Sequence, residues 1–318
     1  MYYLTINSRI ILSVAKSILM IRPINFGFND ETSKDNYYQK KVNKKNISQL
    51  AIDEFENLVQ QLKKSNIDVY VFQDDSKYKT PDSIFPNNWI STHRNGDIIL
   101  YPMLAKSRRM ERRPEILDFL KNQGFIINNV IDYSFAEQDG QFLEGTGSMI
   151  LDRKNKIAYC SISERSNEEL FLKFCKDFKY VPVSFHSFQD VSNKRLPIYH
   201  TNVMMCLANA YCIICLDSID DEEEKNNVIN FIENSEKELI EISENQVEKF
   251  AGNMLELINH KGESLLVMSR SAENSLNKNQ KNIINKYSRI ISSDINTIEV
   301  CGGGSARCMM AEIFLPKK

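Results

Sequence analysis

Glycine is scarce in this sequence, with 11 residues among 318, yet three of them stand together at Gly302–Gly304. Consecutive glycines lose backbone entropy on folding and pack no side chain, so they favour a site where the backbone approaches a ligand. Cys308 follows four residues later beside Arg307, where positive charge and amide donors would stabilise a thiolate. We therefore predict Cys308 as a nucleophile, the alternative being a turn followed by a buried thiol. Cys301 is interpreted as a packed residue in a strand-like stretch before the turn.

A nucleophilic thiol needs an acid–base partner, and the sequence offers four histidines. His200 lies in the motif Y-H-T-N, immediately before the apolar run 203–207, at the mouth of a predicted strand and among polar residues. His93 is interpreted as the start of a hairpin turn. His260 is interpreted as a loop residue, and His186 as a packed or rim residue. His200 is therefore the preferred partner on placement alone.

Two further motifs place polar groups beside apolar ones. Glu144 ends an apolar run in F-L-E-G-T-G-S and is followed by Gly145 and Gly147. A carboxylate held in this way suits ligand binding or proton transfer, although a hairpin with an exposed glutamate fits the same residues. The second motif, F-P-N-N-W at 85–89, contains the only tryptophan. Turn chemistry explains its Pro-Asn pair, and its aromatic residues also suit the wall of a ligand pocket.

The elements that must position these motifs follow a repeated pattern. An amphipathic helix is predicted at 46–64, with a strand at 67–72 directly after it. Further helices are predicted near 108–122, 166–178, 221–234 and 271–286, each leading into a short strand near 125–131, 180–185, 238–242 and 288–292. Pairs of short strands lie between the helices, for example 149–151 with 157–159, and 203–207 with 211–216. This unit of strand, strand, helix and strand occurs about five times, which indicates radial or solenoid repetition and not a doubly wound sheet.

The ends of the predicted elements carry local signals. Asn46 with Gln49, and Ser166 with Glu169, are predicted to cap two of the helices. The first strand is predicted at Ser17–Arg22, and residues 1–17 are expected to form a peripheral N-terminal extension. No linker-like change of composition interrupts the chain, so residues 1–318 are predicted to form one α/β domain.

Composition excludes several classes of function. The 40 basic and 42 acidic residues give a net charge of −2, so the sequence does not predict a nucleic-acid or anionic-membrane partner. The apolar run 10–21 is interrupted by polar residues, too short to span a bilayer and not followed by a signal-peptide cleavage site. Seven cysteines, an odd number, lie mostly in apolar runs, which is typical of reduced thiols in a cytoplasmic protein. Cys212 and Cys215 are interpreted as core residues, not as a metal or redox pair.

Four motifs together resemble one family. They are F-P-N-N-W at 85–89, L-E-G-T-G-S at 143–148, Y-H-T-N at 199–202 and C-G-G-G-S-A-R-C at 301–308. In this order and spacing they are similar to the guanidino-group-modifying enzymes, a superfamily of arginine deiminases, dimethylarginine hydrolases and amidinotransferases. The resemblance runs from about residue 20 to residue 316 and is greatest with the arginine-deiminase-related, citrulline-utilisation hydrolase branch. It implies the pentein fold, a five-bladed α/β propeller of ββαβ repeats with pseudo-fivefold symmetry, which agrees with the repeat seen in the residues.

The resemblance also implies the catalytic residues. Cys308 matches the family's nucleophile, His200 its general acid/base, and Glu144 the carboxylate that works beside the histidine. It implies a covalent mechanism without metal or organic cofactor. Backbone amides at Gly303 and Gly304 are further expected to stabilise an oxyanion.

Three arginines are assigned through the resemblance alone. Arg108 and Arg109 lie in R-R-M-E, and Arg165 lies in S-E-R-S. These motifs match arginines that bind the α-carboxylate of the substrate in amino-acid-specific members, a contact that suits the planar guanidinium. Without the resemblance, all three would be interpreted as solvated surface charges.

The sequence departs from the arginine-acting pattern at two positions. Asn88 and Asn202 stand where deiminases carry aspartates that hold the cationic guanidinium. Without those counterions a buried cation is disfavoured, whereas a neutral ureido group can exchange hydrogen bonds with an amide. We therefore expect a hydrolase acting on a small amino acid, with citrulline favoured and ornithine, ammonia and carbon dioxide as products. The alternatives are a deiminase, dimethylarginine hydrolase or amidinotransferase acting on a guanidine, and a non-catalytic binding protein on the same fold. A homo-oligomer is compatible with each.

Overall fold

The computed structural model describes residues 13–42 and 45–318 of the chain. Its strands are β1 (Ser17–Arg22), β2 (Asp68–Gln73), β3 (Ile90–Thr92), β4 (Asp97–Leu100), β5 (Asn129–Asp132), β6 (Met149–Asp152), β7 (Ile157–Ser161), β8 (Val181–Phe185), β9 (Phe188–Val191), β10 (Lys194–Pro197), β11 (Met205–Leu207), β12 (Tyr211–Ile214), β13 (Glu238–Glu241), β14 (Leu255–Ile258), β15 (Ser264–Ser269), β16 (Arg289–Ser293) and β17 (Ala311–Ile313). Its α-helices are α1 (Ile47–Lys64), α2 (Lys106–Arg109), α3 (Pro114–Asn122), α4 (Gly145–Ser148), α5 (Glu168–Phe178), α6 (Thr201–Met204), α7 (Glu222–Asn234), α8 (Glu244–Val247), α9 (Arg270–Ser275), α10 (Lys278–Tyr287) and α11 (Asn296–Gly302).

The strands form small sheets with one recurring pattern. Three-stranded sheets have the orders β17-β1-β2, β3-β4-β5, β6-β7-β8, β11-β12-β13 and β14-β15-β16. In each sheet the first two strands pair antiparallel and the last two pair parallel. One longer helix, α1, α3, α5, α7 or α10, connects the two parallel strands, because a parallel pair needs a crossover connection. The predicted strand, strand, helix and strand unit is therefore confirmed. β9 and β10 form an additional hairpin.

One sheet is assembled from both ends of the described chain. β1 pairs antiparallel with β17, so that Ser17 lies opposite Ile313 and Leu19 opposite Ala311. On its other side β1 runs parallel to β2. The first strand of this sheet is thus supplied by the segment that directly follows Cys308. The predicted bounds of β1 are confirmed, whereas its pairing with the far end of the sequence was not predicted.

The helix starts differ from the predicted caps. Asn46 precedes α1 in a left-handed conformation with φ of 63°, and its side chain makes no capping hydrogen bond. At α5 the cap is Asn167, whose side chain accepts from the Leu170 amide, and not Ser166. The single helix predicted at 108–122 is divided into α2 and α3 because Pro114 lacks an amide hydrogen and disfavours helical backbone in the preceding residue.

Short helical turns replace strand where two catalytic candidates lie. Glu144 and His200 each directly precede a four-residue helix, α4 and α6, and the strand follows that helix. The strand predicted from Val203 therefore begins two residues later. Cys301 lies in α11 and not in a strand-like stretch, so that prediction was wrong.

The predicted N-terminal extension falls partly outside the described residues. Residues 1–12 are among those not described, but Val14 and Ala15 are buried. Ala15 forms a bridge with Leu257 and accepts a hydrogen bond from the amide of Ile258 at 3.0 Å. The last residues of the extension therefore pack against the fold.

Two general expectations can be compared with the described residues. All seven cysteines are buried, as expected of core thiols. Within residues 13–42 and 45–318, no helix has the length and apolar character needed to cross a bilayer.

The sheet that joins the chain ends provides a test of the packing. The Leu19 side chain is 1 % exposed and lies in a core cluster with residues of β17. We expect Leu19→Ala to lower the free energy of unfolding by about 2–5 kcal/mol, because it leaves a cavity in a closely packed region. The control Leu50→Ala, on the solvent side of α1 and 38 % exposed, should change it by less than about 0.5 kcal/mol. Urea denaturation measures both, and equal effects would contradict this account of the core.

Candidate active site

A small buried cavity brings together residues that are far apart in the sequence. Cys308, His200 and Asn88 line it, and so do Arg108 and Arg165. Its free volume is about 20 Å³, which is room for roughly one water molecule. The predicted nucleophile and acid/base therefore face one space, which must widen before it can hold a whole amino acid.

His200 and Glu144 form a buried hydrogen-bonded pair. His200 Nε2 lies 2.9 Å from Glu144 Oε2, and both side chains are at most 3 % exposed. Gly147 allows this arrangement, because a Cβ atom there would lie 2.8 Å from His200 Nδ1 and 2.3 Å from Asn88 Nδ2. Close packing thus explains the glycine at position 147. Glu144 is buried, so the alternative of an exposed hairpin glutamate was wrong.

The charges of this pair follow from their surroundings. Burial alone raises the pKa of Glu144, but Arg165 and the contact with His200 outweigh it and lower the pKa to about 2. Burial lowers the pKa of His200, and the neighbouring Glu144 only partly offsets that effect. At neutral pH the pair is therefore an ionised carboxylate beside a neutral imidazole, which can accept a proton.

Two side-chain amides donate to the predicted nucleophile. Asn253 Nδ2 lies 3.2 Å from Cys308 Sγ, and Asn202 Nδ2 lies 3.4 Å from it. The Arg307 guanidinium instead binds Met310 O at 2.8 Å and Glu312 Oε2 at 3.2 Å. The expectation that Arg307 stabilises the thiolate was wrong, because that charge is already bound by protein oxygens.

Asn88 is held by Arg108. Arg108 Nη1 donates to Asn88 Oδ1 at 2.7 Å, and Arg108 also binds Glu111 through Nε at 2.9 Å and Nη2 at 2.8 Å. Although burial opposes its charge, Glu111 keeps the pKa of Arg108 above the usual value. Arginine cannot accept a hydrogen bond, so the amide orientation of Asn88 is fixed with Nδ2 directed away from Arg108. This Nδ2 is buried and has no hydrogen-bond partner among the described residues.

The other two predicted arginines differ in their placement. Arg165 lines the cavity, but most of its hydrogen-bond donors are already paired with protein oxygens. Its Nε lies 2.6 Å from Asp35 Oδ2, and its Nη2 lies 3.0 Å from Thr32 O. Its Nη1 lies 3.5 Å from Glu144 Oε2. Arg109 lies outside the cavity, where it binds Met103 O at 3.0 Å and Glu137 Oε2 at 3.3 Å. Of the pair Arg108 and Arg109, only Arg108 thus faces the site.

The glycine triplet is explained by close packing. A Cβ atom at Gly302 or Gly304 would lie within 2.9 Å of the Phe85 ring. Gly303 ends α11 with a φ of 64°, and a Cβ atom there would lie 2.5 Å from Asn36 Nδ2. The Gly303 amide donates to Glu299 O at 2.9 Å, so the prediction that it binds an oxyanion was wrong.

Residues 24–42, which we call the strap, cover the site. Within the strap, Asn36 Nδ2 donates to Gly303 O at 3.1 Å and Gln39 Nε2 donates to Cys301 O at 3.2 Å. Asp35 binds Arg165, so the strap also supplies the acid that neutralises an arginine of the cavity. The strap contributes to the site although none of its residues belongs to the four motifs.

Besides the strap, sequence reasoning missed Asp82, Tyr199 and Asn253 at the site. Asp82 lines the cavity, with Oδ2 bound by Asn29 Nδ2 at 2.7 Å and Oδ1 buried without a partner among the described residues. Burial raises the pKa of Asp82 although Arg108 opposes it. Tyr199 donates to Gly303 O at 2.8 Å, and Asn253 contacts the sulfur. Tyr199 belongs to the Y-H-T-N motif, but no role was predicted for it. No pattern in the sequence marks Asp82 or Asn253.

Within the described ranges 13–42 and 45–318, no group of three or more histidine, cysteine, aspartate or glutamate side chains could hold a metal ion. The groups that line the cavity include a thiol, an imidazole, a carboxylate, amides and two guanidinium groups.

Solved structures with the same fold share this architecture. ArgZ, an arginine dihydrolase from the ornithine–ammonia cycle in cyanobacteria, matches with a TM-score of 0.73 and 19 % identity over 95 % of this chain. The chain spans only 41 % of the length of ArgZ. The N-terminal domain of ArgZ, as a cysteine-to-serine mutant bound to substrate, matches with a TM-score of 0.69 and 19 % identity, covering 93 % of this chain and 97 % of the domain.

A third solved structure extends the comparison to another enzyme. The dimethylarginine hydrolase (DDAH) from Pseudomonas aeruginosa, a cysteine-to-serine mutant complexed with citrulline, matches with a TM-score of 0.64 and 14 % identity, over 94 % of this chain and 100 % of that one. These similarities show that the chain has the mixed α/β fold of these enzymes. The curated proteins gave no match to this sequence.

A family model identifies the relationship more specifically. The model described as N,N dimethylarginine dimethylhydrolase, eukaryotic, matches residues 22–315, which is most of the chain. The predicted relationship to the guanidino-group-modifying enzymes is confirmed by this match. The chain therefore belongs to the eukaryotic N,N-dimethylarginine dimethylhydrolase family.

Proposed function

We propose that the protein hydrolyses the terminal ureido group of a small amino acid, with citrulline as the preferred substrate and Cys308 as nucleophile. The observation that carries the proposal is the pair of unsatisfied amide atoms at the site. Asn88 Nδ2 and Asn202 Oδ1 are both buried without hydrogen-bond partners among the described residues. A ureido group carries a carbonyl acceptor and N–H donors, so it can satisfy both atoms, whereas a guanidinium has donors only.

The proposed reaction proceeds through a covalent intermediate on sulfur. His200 accepts the thiol proton of Cys308, and the thiolate attacks the ureido carbon. The C–N bond to ammonia or to the amine breaks, and His200 returns its proton to that nitrogen. Water, deprotonated by His200, then opens the thioester-like carbamoyl bond and releases the thiolate, and the carbamate decomposes. Overall, citrulline and one water give ornithine, ammonia and carbon dioxide.

The remaining groups of the cavity bind and orient the substrate in this proposal. Glu144 accepts from the substrate nitrogens and keeps His200 oriented. The free Oδ1 of Asp82 is suited to an ammonium group, such as that of an amino acid. The Nη1 of Arg165 can still donate a hydrogen bond, so Arg165 is a better candidate than Arg108 to bind the substrate carboxylate. Gly304 remains a candidate amide donor to the oxyanion.

Hydrolysis of a guanidine is the second candidate. Glu144 is ionised and Asp82 presents an unpaired carboxylate oxygen, and both would attract a cationic guanidinium. The relatives named above act on arginine or dimethylarginine according to their descriptions, which supports the same alternative. Release of citrulline from arginine, without further breakdown of citrulline, would favour this candidate over ours.

We also propose that the recurring sheets surround a central axis as the five blades of a pentein propeller. Each of the five three-stranded sheets has the same pairing order, and their turns bring His200 to the cavity and Glu144 into a hydrogen bond with that histidine. The solved relatives with this fold support the arrangement.

Replacement of the nucleophile tests the reaction. We expect Cys308→Ala to reduce ammonia release from citrulline by at least about 10³-fold, because no other thiol faces the cavity. Cys301→Ala, which removes a second buried thiol from the same C-terminal region, should retain activity. Ammonia and ornithine are quantified for both variants with citrulline, arginine and methylarginines as substrates. Substantial turnover by Cys308→Ala would exclude the covalent mechanism.

The amide at position 88 tests the preference for a neutral substrate. We expect Asn88→Asp to shift the ratio of kcat/KM for guanidines over citrulline by about 10-fold or more, because it adds a negative charge to a dry site. Asn88→Ala is the control, since it removes the amide donor without adding charge and should lower citrulline turnover with no gain on guanidines. If wild-type protein prefers arginine over citrulline, the neutral-substrate proposal fails.

The pair of Glu144 and His200 gives a prediction for pH dependence. Glu144 opposes the fall in the pKa of His200 caused by burial, so Glu144→Gln should lower that pKa further. The acid limb of the kcat/KM profile, where His200 becomes protonated, should then move to lower pH. The rate at neutral pH should fall by roughly 10²–10⁴-fold. Steady-state rates across the pH range measure both effects, and an acid limb displaced to higher pH would contradict this assignment.

A further inference from the structure

Asn253 joins three segments of the site through one side chain. Its Oδ1 accepts from the amide of Arg307 at 3.1 Å, in the loop that carries Cys308. Its Nδ2 donates to Asn202 O at 2.9 Å, in the turn that follows His200. The same Nδ2 lies 3.2 Å from Cys308 Sγ. Asn253 is 1 % exposed, so water does not compete for these contacts.

The orientation of this amide is fixed on both sides. A backbone N–H can only donate and a backbone carbonyl can only accept, so Oδ1 must face Arg307 and Nδ2 must face Asn202. The second hydrogen of Nδ2 is then left for the sulfur. Asn202 also donates to Cys308 through its Nδ2, but the contact is longer, at 3.4 Å, and its Oδ1 has no partner among the described residues.

The backbone before Asn253 reinforces the contact. A Cβ atom at Gly252 would lie 2.3 Å from Val203 O and 2.7 Å from the carbonyl carbon of Met204. Glycine at 252 therefore lets this segment lie directly against the turn that follows His200. The position of Asn253 depends on that close approach.

We propose that Asn253 is a catalytic residue that donates a hydrogen bond to the Cys308 thiolate and sets its distance from His200. This inference rests on Cys308 being the nucleophile of the proposed function. A donor at 3.2 Å stabilises an anionic sulfur more than a neutral thiol. The same donor acts twice in the reaction, before attack on the substrate and again when sulfur is the leaving group in the hydrolysis step.

Alkylation of Cys308 by iodoacetamide tests the proposal without any substrate. The rate at Cys308 is followed across pH by mass spectrometry of the peptide that contains it. We expect Asn253→Ala to raise the midpoint of this profile by roughly 1–2 pH units, as loss of a hydrogen bond to a charged group implies. Asn253→Asp keeps the acceptor for Arg307 but replaces the donor with a carboxylate, so it should raise the midpoint at least as far.

A matched control separates this effect from simple destabilisation. Asn259 is also 1 % exposed. Its Nδ2 donates to Ser65 O at 3.1 Å, and its Oδ1 accepts a hydrogen bond from the backbone amide of Lys261. Asn259→Ala and Asn259→Asp should lower the thermal midpoint without moving the alkylation profile of Cys308. A profile unchanged in both Asn253 variants, or failure of both to fold while the Asn259 variants fold, would overturn the proposal. A shifted profile in a protein that does not hydrolyse citrulline would retain this role while excluding the proposed substrate.

Discussion

The buried charges around Arg165 are the constraint on which the site depends. This guanidinium binds Asp35 of the strap, lies beside Glu144 and stacks over Tyr199, with its carbon 4.8 Å from the ring centre. Isolated charges are costly in a protein interior, so each of these groups is stable only while the others stay in place. Arg165 therefore holds the strap in contact with the site. It also keeps Glu144 ionised for its contact with His200. A residue predicted to bind substrate thus also organises the unliganded site.

The repeated unit of the fold explains how such distant residues meet. Glu144 and His200 occupy equivalent positions, each one residue before a short helical turn that leads into the first strand of a sheet. Asn253 lies shortly before β14, the first strand of the next sheet. The chain therefore uses the segment before the first strand of a sheet repeatedly, and it varies the residues there to supply an acid, a base or an amide. The proposed nucleophile, Cys308, comes from the loop before β17, which plays the corresponding part for the sheet made by both ends of the described chain.

Sequence patterns predicted the parts of this protein that depend on periodicity and on motif order. Helical spacing located the five longer helices, although the segments predicted at 108–122 and 271–286 are each divided into two helices. The four motifs identified Cys308, His200 and Glu144, which meet in or beside the cavity. Three features could not be predicted in this way. The pairing of β1 with β17 depends on contacts across almost the whole sequence. Asp82 and Asn253 stand in loops where a polar residue is ordinary, and only the fold reveals their burial. Arg109 does not face the site, because Arg108 is the one of these two adjacent side chains that turns toward the cavity. Spacing in the sequence does not predict which of the two does so.

The union of the first and last strands has a consequence for how the protein is made. β1 leaves the ribosome early but lacks its antiparallel neighbour until β17 has been synthesised. Until then the nascent polypeptide carries an exposed strand edge, the kind of surface that chaperones protect and that aggregation exploits. Because Cys308 precedes β17 in the same late segment, a polypeptide that ends before Cys308 lacks both the proposed nucleophile and this strand. The proposed site is therefore complete only after β17 has been synthesised and has paired with β1.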